Sequence, residues 1–191
     1  MKILQVCQKY YPYKGGVAEH VRNLSERLAE KYEVIVATTD PSGKLPRDEI
    51  VNSVKIQRFK CMAPRNSYYF SRILKKYLMK NSDKFDIVHA HNYHVVPSFY
   101  AAQSKDRNVF VFTPHYHGSG RDLFNSLLHI PYKFLGKRIF QKADRIICVS
   151  RFEKNLILKN FKINEDKIRI IPNGVNLEEF TTLKRKNDYL N

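Results

Sequence analysis

The stretch "QKYYPYKGGVAEHV", residues 8–21, decides how this chain reads. An apolar run, "KILQVC" (2–7), hands over through an aromatic loop to Gly15-Gly16, and an amphipathic pattern starts at once. Val17, Val21, Leu24 and Leu28 fall at i, i+4, i+7 and i+11, one stripe of a helix. Two glycines between strand and helix let the backbone turn tightly and let a ligand approach it closely. The helix start behind them carries unpaired N–H groups and a partial positive charge, which attract phosphate and other anions. As an isolated feature, Gly-Gly is equally a tight turn with nothing bound.

The same alternation continues outward. Strand-length apolar runs follow at 33–39, 54–59, 86–91, 109–114, 145–150 and 168–172, several of them near-continuous Val, Ile and Phe as in strands covered on both faces. Helical patterns occupy 67–80, 93–104, 122–142 (interrupted at Pro131) and 151–161. Strands alternating with helices build right-handed crossovers. The expected fold is therefore α/β: a Rossmann-like, doubly wound parallel sheet of six to seven strands, with helices on both faces. The chain end, "TTLKRKNDYLN", loses periodicity and reads as linker or tail. The 191 residues suit one domain with a proper core.

Composition narrows the function classes. Apolar residues make up 43% of the chain, against general disorder. Cys7, Cys61 and Cys148 have neither metal nor redox spacing, and two lie in strand runs, as expected of reduced thiols in a cytoplasmic protein. No run has signal-peptide or membrane-span length. The balance of 34 Lys and Arg against 18 Asp and Glu, a net +16, points to a polyanion: nucleic acid, an anionic membrane surface or a phosphorylated substrate.

In doubly wound sheets ligands sit outside the carboxyl ends of the strands. There, "DIVHAHNYH" gathers His89, His91 and His94, and "TPHYHGSGR" gathers His115 and His117. A zinc hydrolase is the metal reading, but no carboxylate follows either run at once, and histidines at strand ends equally serve sugar hydroxyls or phosphate. Asp40 stands where a dinucleotide fold places its ribose-binding acid, yet the loop lacks G-x-G-x-x-G, which disfavours an NAD enzyme. "CVSRF" around Ser150 lacks the nucleophile elbow, and no P-loop is present. "IPNGVNLEEF" (171–180) is a strand end followed by an Asn-Gly turn.

Taken in order, "YYPYKGGVAEHVRNLSERLAEKYEVIVATT", "DIVHAH", "FTPHYHG", "ADRIICVS" and "IIPNGVNLEEF" resemble the N-terminal domain of retaining glycosyltransferases of GT-B fold, the family 4-like group 1 enzymes. The match spans residues 2–180. The resemblance implies one half of a GT-B fold, with residues 1–175 as the acceptor-side domain and 176–191 as the start of an interdomain linker. It implies that His115 lies beside the transferred sugar, and that Gly15, Gly16, Val17, His91, His117, Ser150 and Asn173 line or support the same cleft. No cofactor or metal ion is implied; a nucleotide-diphosphate sugar is the donor substrate, bound mainly by a C-terminal domain on the same or a separate chain. The acceptor would be a glycan or a lipid-linked sugar. On this reading the 191 residues transfer no sugar alone.

The alternative is a basic, non-catalytic module for RNA or an anionic membrane. RNA modules interleave exposed aromatics with Lys and Arg, whereas the aromatics here fall mainly at core positions of the pattern. Segments "NSYYFSRILKKYLMKN" and "RDLFNSLLHIPYKFLGKRIF" each read singly as a core helix with a solvated basic back. Together with the net charge they suggest peripheral contact with the inner face of a membrane.

Overall fold

The structure is a computed structural model that describes residues 1–118 and 123–174, side chains of 123–131 excepted. The expected tail and linker at 176–191, and the first part of the second basic segment, lie outside the described residues. One eight-stranded sheet runs in the order β3-β4-β2-β1-β5-β6-β7-β8. Its strands are β1 (Lys2–Cys7), β2 (Glu33–Asp40), β3 (Asp48–Val51), β4 (Val54–Lys60), β5 (Ile87–His91), β6 (Val109–Thr113), β7 (Arg145–Cys148) and β8 (Ile168–Ile170). All pairings are parallel except β3 with β4. The helices are α1 (Gly16–Ala29), α2 (Arg72–Asn81), α3 (Val96–Gln103), α4 (Leu123–Lys142) and α5 (Arg151–Asn160).

The seven parallel strands match the seven apolar runs. The eighth, β3, "DEIV", escaped them because an exposed antiparallel edge strand of four residues buries nothing continuous. The helical pattern at 67–80 starts late: residues before Ser71 are irregular, with positive φ at Tyr68 and Tyr69, and Ser71 caps α2 by accepting from the Leu74 amide at 3.2 Å. The expected interruption at Pro131 does not occur. Helix α4 runs through it, because one lost backbone bond is outweighed where Tyr132, Ile139 and Phe140 are buried in the core.

Alternate residues of each strand enter different cores, as the two-residue period of a strand requires. Val34 and Val36 of β2 pack with Val21 of α1 in the smaller cluster. Ile35 and Ala37 join Leu74 and Leu78 of α2, Ala101 and Ala102 of α3, Ile139 and Phe140 of α4, and Ile157 of α5. Helix α1 thus covers one face and α2 to α5 the other. Tyr93 is the hub of the larger core, its ring against Tyr116, Tyr132, Phe140 and Phe161. Because Tyr93 follows β5 and Tyr116 follows β6, this hub fixes the two loops that carry the histidines. Cys7 and Cys148 are buried free thiols, as expected. No described helix is long and apolar enough to cross a membrane.

Candidate functional site

Parallel pairing of β1 with β5 and of β5 with β6 brings the strand ends Cys7, His91 and Thr113 to one edge. Gly15-Gly16, His91 and the loop from His115 meet there. Both glycines are exposed, and a Cβ built on either would meet nothing within 4 Å. Their backbone is therefore open for a ligand. Gly15 holds φ 156°, a conformation side chains disfavour. Val17, by contrast, packs partly into the smaller core and supports the loop from behind.

The structure adds His20, which the sequence reading left out of the site. It lies one turn after Gly16 on α1, and its ring sits 5.0 Å from His115 and 5.6 Å from His91 between centroids. One ligand nitrogen from each of His20, His91 and His115 lies within 4.8 Å of the others. Asn173 hydrogen-bonds to the His20 side chain, which brings the β8 end to the same place. His91 and His89 share a strand face, their rings 4.0 Å apart. His89 Nε2 meets Thr113 Oγ1 at 2.8 Å and His91 Nε2 meets Gln5 Oε1 at 2.7 Å. An amide oxygen only accepts, so His91 carries its proton on Nε2.

Three polar atoms at this point are buried without a hydrogen-bond partner: Gln5 Nε2, His91 Nδ1 and His115 Nε2. Buried polar atoms are rarely left so. Burial, with the neighbouring His20 and His117 adding to it, lowers His115 to about 4. Burial lowers His89 to about 3 and His91 well below the ordinary value, and it lowers His20 as well. The cluster is thus neutral near pH 7, able to donate to and accept from hydroxyls and phosphate oxygens.

The other expected residues are less central. His117 is exposed. His94 turns to Tyr93 and Tyr116 rather than to the cluster. Ser150 caps α5, accepting from the Glu153 amide at 3.1 Å. Glu153 itself, missed in the sequence, is buried and accepts from the Tyr116 and Val149 amides at 2.7 Å each. It ties the His115 loop to β7. The signal for it was Ser150-x-x-Glu153, a capping box. Asp40 is consumed by its own loop, accepting from Tyr13 Oη and from the Ser42 and Leu45 amides. Burial alone would raise its carboxyl; these bonds outweigh it and hold the group below its usual range.

The His20, His91 and His115 trio is the one group among the described residues with metal-holding spacing. Tetrahedral zinc holds its ligand nitrogens about 3.4 Å apart. No carboxylate belongs to the group.

A mostly parallel sheet in this strand order, with a polar cleft at its carboxyl edge, is the N-terminal half of a GT-B glycosyltransferase. Sucrose-phosphate synthase from Thermosynechococcus elongatus shares the fold, with TM-score 0.68 at 18% identity over 93% of this chain and 49% of that one. The Glycosyltransferase Family 4 model matches residues 14–179, and the chain belongs to that family. An uncharacterised glycosyltransferase of Methanocaldococcus jannaschii is 28% identical over 93% of this chain and 48% of its own length. The phosphatidylinositol N-acetylglucosaminyltransferase GPI3 subunit of Saccharomyces cerevisiae is 26% identical over 93% and 40%. The chain thus spans about half the length of the relatives it matches or less.

Proposed function

We propose that these residues form the acceptor side of a retaining, nucleotide-sugar-dependent hexosyltransferase, with the donor held mainly by a C-terminal domain of the same or a separate chain. The observation that carries this reading is the neutral trio of His20, His91 and His115, with orphaned buried nitrogens on the latter two, beside the open Gly15-Gly16 backbone. Such a wall suits a sugar and a diphosphate. His115 is the polar partner of the reacting sugar, and His91 and Asn173 set the cleft around it. The glycine backbone and the start of α1 face the charge that gathers on the departing diphosphate. Groups held in place beforehand stabilise that charge without reorganising. The reading needs no metal ion and no further cofactor.

The acceptor is a glycan or a lipid-linked sugar, presented at the inner face of a membrane where the protein rests peripherally. The name of the yeast relative, which acts on phosphatidylinositol, supports a lipid-borne acceptor. So do the exposed apolar and basic side chains of α2 and α4. The non-catalytic RNA module finds no support among the relatives, which are glycosyltransferases.

Calorimetry of the 191-residue chain with UDP and GDP tests the division of labour. No binding at micromolar nucleotide is expected, with turnover of nucleotide sugar only when the C-terminal half is supplied. Micromolar affinity in the chain alone would overturn the assignment of the donor to the other half.

A further inference from the structure

Helices α2, α3 and α4 lie side by side over the larger core. They leave between them a groove of about 600 Å³, away from the histidine cleft. Met79, Phe99 and Ala102 give it an apolar lining, and Lys75, Arg138 and Lys142 bring three cations to it, with no carboxylate among the lining residues. Among the described residues none of these three cations enters an ion pair. Lys75 Nζ lies over the Tyr100 ring, 5.8 Å from its centroid. Like charges around one groove repel, and an anion seated among them offsets that repulsion.

The surroundings say which anion. In α2, Leu74 and Leu78 are buried, but Ile73 stays 54% exposed, and Phe70 just before the helix is 41% exposed. Met79 is 56% exposed and Phe134 of α4 is 73% exposed. Phe134, Arg138 and Lys142 follow one another at four-residue intervals, so a large apolar side chain shares a helix face with the cations. A free phosphate or a nucleotide would leave these apolar groups wet. A lipid satisfies both chemistries at once.

We propose that this groove seats the head group of an anionic glycerophospholipid, its phosphate among Lys75, Arg138 and Lys142 and the start of its acyl chains against Met79 and Phe99. The proposal rests on the reading that the protein works at a membrane, and it names the surface that does so. The outer positions Lys76, Lys80, Lys133 and Lys137 supply diffuse attraction around it.

Co-sedimentation of the 191-residue chain with phosphatidylcholine vesicles, with and without phosphatidylglycerol, tests it. The Lys75→Glu/Arg138→Glu pair is compared with Arg27→Glu/Lys31→Glu, an equal charge change on and just after α1, which covers the other face of the sheet. Each cation near such a surface contributes about 1 kcal/mol, so the groove pair should lose at least about tenfold in vesicle affinity and the control pair much less. Unchanged thermal unfolding of both pairs shows that the fold is kept. Equal loss in both pairs, or none in the groove pair, overturns the groove. Displacement of bound vesicles by inorganic phosphate at constant ionic strength would make it a free-anion site and overturn the lipid. Absence of wild-type binding to either vesicle would overturn the membrane reading itself.

Discussion

His91 and Gln5, 86 residues apart in the chain, meet through a 2.7 Å hydrogen bond across the β1–β5 pair. With Nε2 committed to the Gln5 oxygen, the His91 Nδ1 is left as an acceptor, buried and without a partner. Gln5 is thus a positioning residue: it chooses the tautomer that His91 presents.

Gln5→Leu should cost about 1–3 kcal/mol in urea unfolding, since it strands a buried imidazole N–H. In a complete enzyme it should lower kcat more than KM, because the substrate would still bind but meet the wrong tautomer. Gln5→Glu keeps an acceptor for the Nε2 proton but places a buried carboxylate beside it, so it should hold the tautomer while moving the pH profile of the rate upward. Equal rates for Gln5→Leu and wild type would remove His91 from the chemistry.

Gly16→Val separates crowding from folding. Nothing lies within 4 Å of the Cβ position, so the folded state should lose no more than about 1 kcal/mol. The new side chain would occupy the ligand's space, and turnover of a complete enzyme should fall at least about tenfold. His115→Ala should do as much by removing the polar partner of the sugar. Normal rates in both would move the site elsewhere.

Acid should destabilise the chain through its buried histidines. His115 titrates at about 4 and His89 at about 3 in the fold, below the ordinary 6.5 of an exposed imidazole. Between those values the unfolded chain binds more protons than the folded one, so stability falls as pH falls. Each such group contributes a slope of at most about 1.4 kcal/mol per pH unit. Glu153, raised by burial, pulls the other way, while the lowered carboxyls of Asp40 and Asp144 add to the loss toward pH 4. Urea unfolding followed from pH 6.5 down to about 4 should show the loss. His89→Asn should shrink it. A flat profile would mean that the cluster is hydrated and ordinary.

The parallel strands were legible because a strand covered on both faces must be mostly apolar, and β1, β2, β5 and β6 are, with Gln5, His89 and His91 as polar exceptions that serve the site. Edge strand β3 was not, since exposure removes that constraint. His20 was hidden for a different reason. On α1 it reads as one polar residue of an amphipathic helix, and only the neighbouring positions of β5 and β6 put His91 and His115 against it. The Gln5–His91 bond likewise depends on β1 lying next to β5, which no local pattern states. Glu153 could have been read from its capping box, though not its reach to the Tyr116 amide.

Gly136 of α4 should tolerate no side chain. A Cβ there would overlap the ring of Tyr93, and Tyr93 is fully buried at the centre of the larger core. Alanine gains about 1 kcal/mol of helix propensity over glycine. Overpacking a core of this density costs about 1–3 kcal/mol or more, so Gly136→Ala should unfold at lower urea despite the better helix former. It should also disturb the histidine loops that Tyr93 holds. Increased stability would show that α4 is free to shift away from the hub.

Removal of metal should leave a complete enzyme unaffected. The histidine trio offers three nitrogens within 4.8 Å of one another and no carboxylate, and its orphaned buried nitrogens are equally partners for a sugar. Neutral imidazoles suit hydroxyl and phosphate oxygens, which bridge them through hydrogen bonds of about 2.8 Å on each side. Prolonged dialysis against 1,10-phenanthroline, followed by transferase assay in metal-free buffer, should therefore preserve the rate. The apo protein should also take up no stoichiometric zinc or cobalt at micromolar concentration. Loss of activity on dialysis, restored by zinc and absent in His20→Ala, would make the trio a metal centre and would reassign His115 from sugar partner to ligand.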